Sequence, residues 1–177
     1  AAASMSSQGA ALGFSSREKR LRFRDAIVNH FELAVDDGQL WAMEAGESRL
    51  PARERSILYV ERNGSRFRRG KAGGSNARRA YLTGEALAAV RVAGARRRYT
   101  LRIADFTGGK DLRGQVQLLA STHIFVTAHG AALTMLPLLP EGAAVVELFT
   151  CGHFSQLYTN LARASQLWYR ALHPLSE

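Results

Sequence analysis

The sequence predicts an α/β fold, a Rossmann-like parallel sheet flanked by helices, and three observations carry that prediction. From residue 56 onward, short β-branched or aromatic runs alternate with helical stretches of about ten residues, the order that builds right-handed βαβ units. Two of the runs, "HIFVTA" and "AAVVELF", are apolar nearly throughout, as strands covered on both faces are. Small polar segments containing Gly or Pro separate strand from helix along the same stretch.

The elements follow in order. The opening "AAASMSSQGAALGFSS" is small and polar and reads as a disordered or cut edge over 1–15. A helix and linker are expected over 16–55: Ser16 is an N-cap, Leu21, Ile27 and Phe31 keep a helical period, and "AVDDGQLWAMEAGESRLPARER" is polar. The domain proper is expected over 56–177. "SILYV" is its first strand, followed by a loop rich in Gly, Ser and Arg. "TGEALAAVRVAG" is a helix with Thr83 as N-cap, Leu87 and Val90 inward and Gly94 as its stop. "RYTLRIADF" alternates as a strand and "KDLRGQVQLLAST" is helical. "HIFVTA" is a strand, "GAALTMLPLL" starts a helix, "AAVVELF" is a strand, "SQLYTNLARASQ" is a helix and "LWYRAL" is a last strand. "HIFVTA" and "AAVVELF" are expected to be adjacent or near-adjacent parallel strands at the sheet centre.

Composition bounds the function. At 177 residues, 46% hydrophobic and 22% charged, the chain is long enough to bury a core. Its 24 Lys+Arg against 15 Asp+Glu give a formal net charge of +9, which attracts phosphorylated small molecules, nucleic acid and acidic membranes alike. One cysteine, Cys151, excludes an internal disulfide, and no Cys/His spacing resembles a zinc site. No apolar run reaches the roughly 20 residues of a membrane span.

In a parallel sheet, ligands bind beyond the carboxyl ends of the strands, beside helix N-termini. His129 and Gly130 follow "HIFVTA" at that rim. The amides from Gly130 to Leu133 are expected to be unpaired there and to attract a diphosphate, with Gly130 and Ala131 allowing close approach and His129 donating to a phosphate oxygen. Glu147, ending the next strand, reads as an acceptor for ribose hydroxyls. Taken singly, a strand-end histidine such as His129 is more often a capping or packing residue than a ligand, and a strand-end glutamate such as Glu147 is often just solvated; the adjacent Gly-Ala-Ala and the downstream Glu147 favour the ligand site. Arg62 and Arg66 flank a Gly-Ser turn and read as a phosphate clamp rather than a solvated loop. The sequon "NGS" at Asn63 lies in that loop, where a glycan would block it.

The order of strand, "HGAALT", apolar helix, Pro-containing turn and "VVEL" resembles glycosyltransferase family 61, which includes enzymes acting on EGF repeats and plant xylosyltransferases. "ILYVERNGSR" is similar to the family's strand and arginine loop through Arg62 and Arg66. "DLRGQVQLLASTHIFVTAHGA" is similar to its Gln-bearing helix and His-Gly-Ala strand through Gln115, and "LWYRAL" to its late aromatic strand. The resemblance runs roughly over 56–172. The chain departs from the family pattern at Met135, where a polar residue is usual, and in the length of "FRRGKAGGSN" before Asn76.

The resemblance implies the donor-binding half of a GT-B enzyme, a UDP-sugar donor and a glycoprotein or polysaccharide acceptor. It also implies no cofactor or required metal, and action in the Golgi or endoplasmic reticulum lumen, with any membrane anchor outside this stretch. Arg62, Arg66, Gln115, His129, Gly130, Ala131 and Glu147 are then donor-binding residues. The catalytic base is not identified; Asp105 and Asp111 lie near element ends. Two other readings are a non-catalytic nucleotide-binding fragment and a basic nucleic-acid-binding domain. Against the second, the arginines are scattered and the sequence shows no aromatic stacking platform, so no nucleic acid is expected.

Overall fold

A computed structural model describes residues 16–33, 55–61, 82–106, 111–150 and 153–173. Among them, five strands form one wholly parallel sheet in the order β2-β1-β3-β4-β5: β1 (Arg55–Glu61), β2 (Tyr99–Asp105), β3 (Ile124–Ala128), β4 (Ala144–Leu148) and β5 (Trp168–Leu172). Every carboxyl end therefore lies on one rim. The two long apolar runs are neighbours as expected, Val126 opposite Val146 and Thr127 opposite Glu147, with β3 at the sheet centre. The chain winds from β1 to β2, then returns to β3 on the other side of β1, so the sheet's reversal lies between β1 and β3.

Among the described residues, four helices and a 3-10 helix cover the sheet: α1 (Arg17–His30), α2 (Gly84–Ala95), α3 (Leu112–Ala120), the 3-10 helix (Ala131–Leu138) and α4 (Leu157–Ala164). On one face, Leu58, Phe125 and Val145 pack with Val28 of α1, Val116 and Leu119 of α3, Leu133 and Leu136 of the 3-10 helix and Leu161 of α4. On the other, Ile57, Tyr59, Val126 and Leu148 meet Leu87 and Val90 of α2. Both expected N-caps form, Ser16 accepting from Lys19 N–H and Thr83 from Ala86 N–H, each at 3.2 Å.

Local expectations give way where packing or backbone chemistry intervenes. Gly94 does not stop α2, which runs on to Ala95. It is buried against β1 and β2, where an added Cβ would lie 3.2 Å from Ile57 Cδ1 and 3.3 Å from the Tyr99 carbonyl. "AALTMLPL" is a 3-10 helix rather than an α-helix; Pro137 lies inside it, where in an α-helix the proline ring would clash with the carbonyl four residues back. On α1 the fully buried positions are Arg20, Arg24 and Val28, while Leu21, Ile27 and Phe31 are half-buried. Arg20 Nη2 donates to the Leu139 carbonyl at 2.5 Å, and burial is the main cause that lowers its pKa to about 10.

Candidate functional site

The rim beyond β3 and β4 is built from the turn that ends β3. Thr127 Oγ1 donates to the Val60 carbonyl at 3.1 Å, tying β3 to β1 just before the strands stop. His129 N–H then donates to the Leu148 carbonyl at 2.9 Å, extending the ladder one residue past Ala128. Gly130 follows at φ 157°, ψ −168°, a combination that residues with a Cβ rarely adopt. The next turn is 3-10: Leu133 N–H bonds the Gly130 carbonyl at 3.1 Å. The expected run of four unpaired amides is thus shorter, because Leu133 is already committed. Gly130, Ala131 and Ala132 supply the first-turn donors.

The chemistry of the turn lies behind it. Glu147 is 0% exposed, and both its carboxylate oxygens are engaged: Oε1 by His129 Nδ1 and Oε2 by the Tyr169 hydroxyl. A carboxylate accepts, so Nδ1 carries the hydrogen and Nε2 is the ring atom left to face a ligand. The Tyr169 phenol is pushed well above its ordinary pKa of 10.0, first by burial and then by its bond to Glu147, with a Thr159 contact opposing. Burying an unpaired carboxylate is costly, and these two donors make the position tolerable. Both oxygens of Glu147 are thus engaged within the protein, and through Oε1 it holds His129, whose side chain is 27% exposed.

Rings surround the imidazole. His129 stacks on Phe149 at 5.2 Å between centroids, lies 4.7 Å from His153 and meets Tyr158 edge-on at 5.3 Å. The remaining sequence candidates divide. Gly130 and Ala131 are at the turn with His129; Gln115 is half-buried in the first turn of α3, which follows β2. Arg62, Arg66, Asn63, Asn76 and Cys151 lie outside the described residues. Asp111 caps α3, its Oδ1 accepting from Gly114 N–H at 2.8 Å, which explains it without a role as base; Asp105 ends β2, exposed.

Tyr169, Phe149, His153, Phe154 and His173 were missed as site residues. The available signal was positional: Phe149 and His173 each directly follow a strand, and strand alternation sets Tyr169 on the same face as Glu147. Among the described residues, no group of three or more His, Cys, Asp or Glu is arranged to hold a metal ion. No helix among them is long and apolar enough to cross a membrane.

No protein-family model matches the chain. Over 55 residues, 31% of its length, the chain is 44% identical to the EGF domain-specific O-linked N-acetylglucosamine transferase of Bos taurus. It is 42% identical, over the same length, to those of Rattus norvegicus and Mus musculus. In part, then, this chain is similar to a glycosyltransferase. The matched stretch spans 10% of the length of these relatives.

Proposed function

We propose that this chain is the nucleotide-sugar-binding part of a glycosyltransferase of the family 61 type. It would transfer a sugar, N-acetylglucosamine or a pentose, from a UDP-sugar to a hydroxyl of a glycoprotein or glycan. The observation that carries this reading is the His129 imidazole, held by the buried Glu147 carboxylate at the turn where β3 meets the 3-10 helix. The partial similarity to a glycosyltransferase supports it.

In this reading the donor's diphosphate lies against His129 Nε2 and the amides of Gly130, Ala131 and Ala132, at the edge of the sheet's reversal. Arg62 and Arg66, next in sequence after β1, neutralise the charge that develops on the leaving group, and Gln115 contributes from α3. Glu147 and Tyr169 act at one remove, fixing the ring that touches phosphate. During transfer the acceptor oxygen bonds to the anomeric carbon. The bond from that carbon to the diphosphate breaks, its electron pair leaves with UDP, and the acceptor's proton passes to a general base. The family resemblance adds a Golgi or endoplasmic reticulum setting, a donor that needs no separate cofactor, and no nucleic-acid partner.

The test is calorimetric, in the full-length protein. His129→Ala should weaken UDP binding by about 10- to 150-fold, the loss of one bond to a charged group, and leave uridine binding nearly unchanged. Equal losses for UDP and uridine would take His129 off the diphosphate. A wild-type protein that bound no UDP would overturn the donor-site reading.

A further inference from the structure

Past His129, the fold brings together a group of aromatic rings at the rim. Phe149, buried, directly follows β4, and His173 directly follows β5; their rings stack at 4.8 Å with planes 10° apart. Phe154, in the segment leading into α4, lies 6.4 Å from Phe149 and 6.3 Å from His173, inclined 25° to each. Three rings, two between β4 and α4 and one just past β5, thus share nearly one orientation. Phe154 is 67% exposed, and His153 and His173 are exposed beside it.

A single exposed phenylalanine on a surface needs no explanation. This one differs in two respects. Its plane lies within 25° of those of His173 and the buried Phe149, and its own ring is 67% exposed, so an aromatic side chain with an accessible face stands beside two aligned rings. The group also adjoins the anion-attracting turn: Phe149, its inner member, stacks on His129 at 5.2 Å, and His153 lies 4.7 Å from the same imidazole. A ligand with a planar heterocycle at one end and a diphosphate at the other would reach both features. Stacking suits any base, because every base presents a π face.

We propose that Phe154 and His173 form the base-stacking surface of the nucleotide site, with the nucleobase of a nucleoside diphosphate lying on them and its phosphates reaching back to His129 and Gly130. The inference rests on the donor-site reading above and adds a direction to it. The base lies over β4 and β5, and the transferred sugar points toward β1. Phe154 and His173 are then binding residues that contribute through the π face, not through charge.

Isothermal titration of the full-length protein with UDP, with a UDP-sugar and with inorganic pyrophosphate tests it. Phe154→Ala removes an exposed ring and leaves the buried core intact. It should weaken UDP by about 5- to 150-fold, the range of one base–aromatic stack, and leave pyrophosphate unchanged; Phe154→Trp should retain the wild-type UDP affinity. If Phe154→Ala leaves UDP untouched while wild type binds both UDP and pyrophosphate, the stacking surface is refuted and the donor site survives. Equal weakening of UDP and pyrophosphate also refutes it, since the residue would then act on the anion site. Weakening of the UDP-sugar alone would assign the surface to the sugar and overturn the proposed direction. If wild type binds neither UDP nor pyrophosphate, the surface and the donor site fall together.

Discussion

Replacing Tyr169 with Phe removes one hydroxyl and leaves the ring to pack as before. The hydroxyl donates to Glu147 Oε2, and Glu147 is 0% exposed, so water cannot take over the vacated position. A buried charged acceptor losing its donor costs about 1.5–3 kcal/mol, and little cavity term adds to it. For a domain of this size the loss corresponds to a melting temperature lower by about 3–12 °C. A second readout comes from the phenol itself, whose folded-state pKa is raised above its ordinary 10.0 by burial and by Glu147. A group raised in the folded state contributes its stability in full below its unfolded value and loses it as pH climbs toward the folded one. The wild type therefore weakens above about pH 10 through this group, and Tyr169→Phe does not. Urea titrations followed by circular dichroism at pH 7 and at increasing alkaline pH should show a gap that is largest at neutrality and narrows above pH 10. A loss at pH 7 below about 0.5 kcal/mol, the range of ordinary surface changes, together with a gap that stays constant into alkali, would refute the buried network.

Two further outcomes follow from the same geometry. Glu147→Gln should lower the affinity for UDP and for 2′-deoxy-UDP by the same factor, because the carboxylate acts through His129; a smaller loss for the deoxy ligand in calorimetry would restore direct ribose contact. His123 is held below its ordinary 6.5, first by burial and then by Arg55, and its Nδ1 accepts from Ser56 N–H at 3.2 Å, which only the neutral ring can do. Its contribution is present above that value and lost as pH falls toward the lowered one, so the urea midpoint should drop more between pH 7.5 and pH 5 in wild type than in His123→Gln, about 1 kcal/mol being the scale of such a bond. Parallel drops in the two proteins would refute it.

The site was legible in the sequence only where it is local. "AHGAAL" could be read as a strand handing over to a helix because the apolar run, the glycine and the small residues sit in consecutive positions. Glu147 stands out in the sequence by ending a strand, but its burial does not. Alternation along a strand tells which face a residue takes, not whether a layer of helix covers it, and α4 and the 3-10 helix pack over that face with Tyr158 and Leu133. Tyr169 was passed over because its partners lie 22 and 40 residues away, at Glu147 and, through the same carboxylate, His129. The two buried arginines of α1 run against periodicity outright, since helical spacing assigned Leu21 and Ile27 to the inner face and tertiary packing turned Arg20 and Arg24 inward instead.

The sequence by itself determined the order and type of nearly every described element, the caps at Ser16 and Thr83, and the parallel character of the sheet. Each of these rests on interactions spanning a few residues, or on the connection length that parallel strands require. Only the tertiary structure decided that β1 lies between β2 and β3, that Glu147 is sealed behind His129 and Tyr169, and that Phe149, Phe154 and His173 share one orientation at the rim. Those outcomes depend on which surfaces meet across long stretches of chain. That choice is made by burying apolar area and pairing buried polar groups over the whole domain, and no short window of residues contains it.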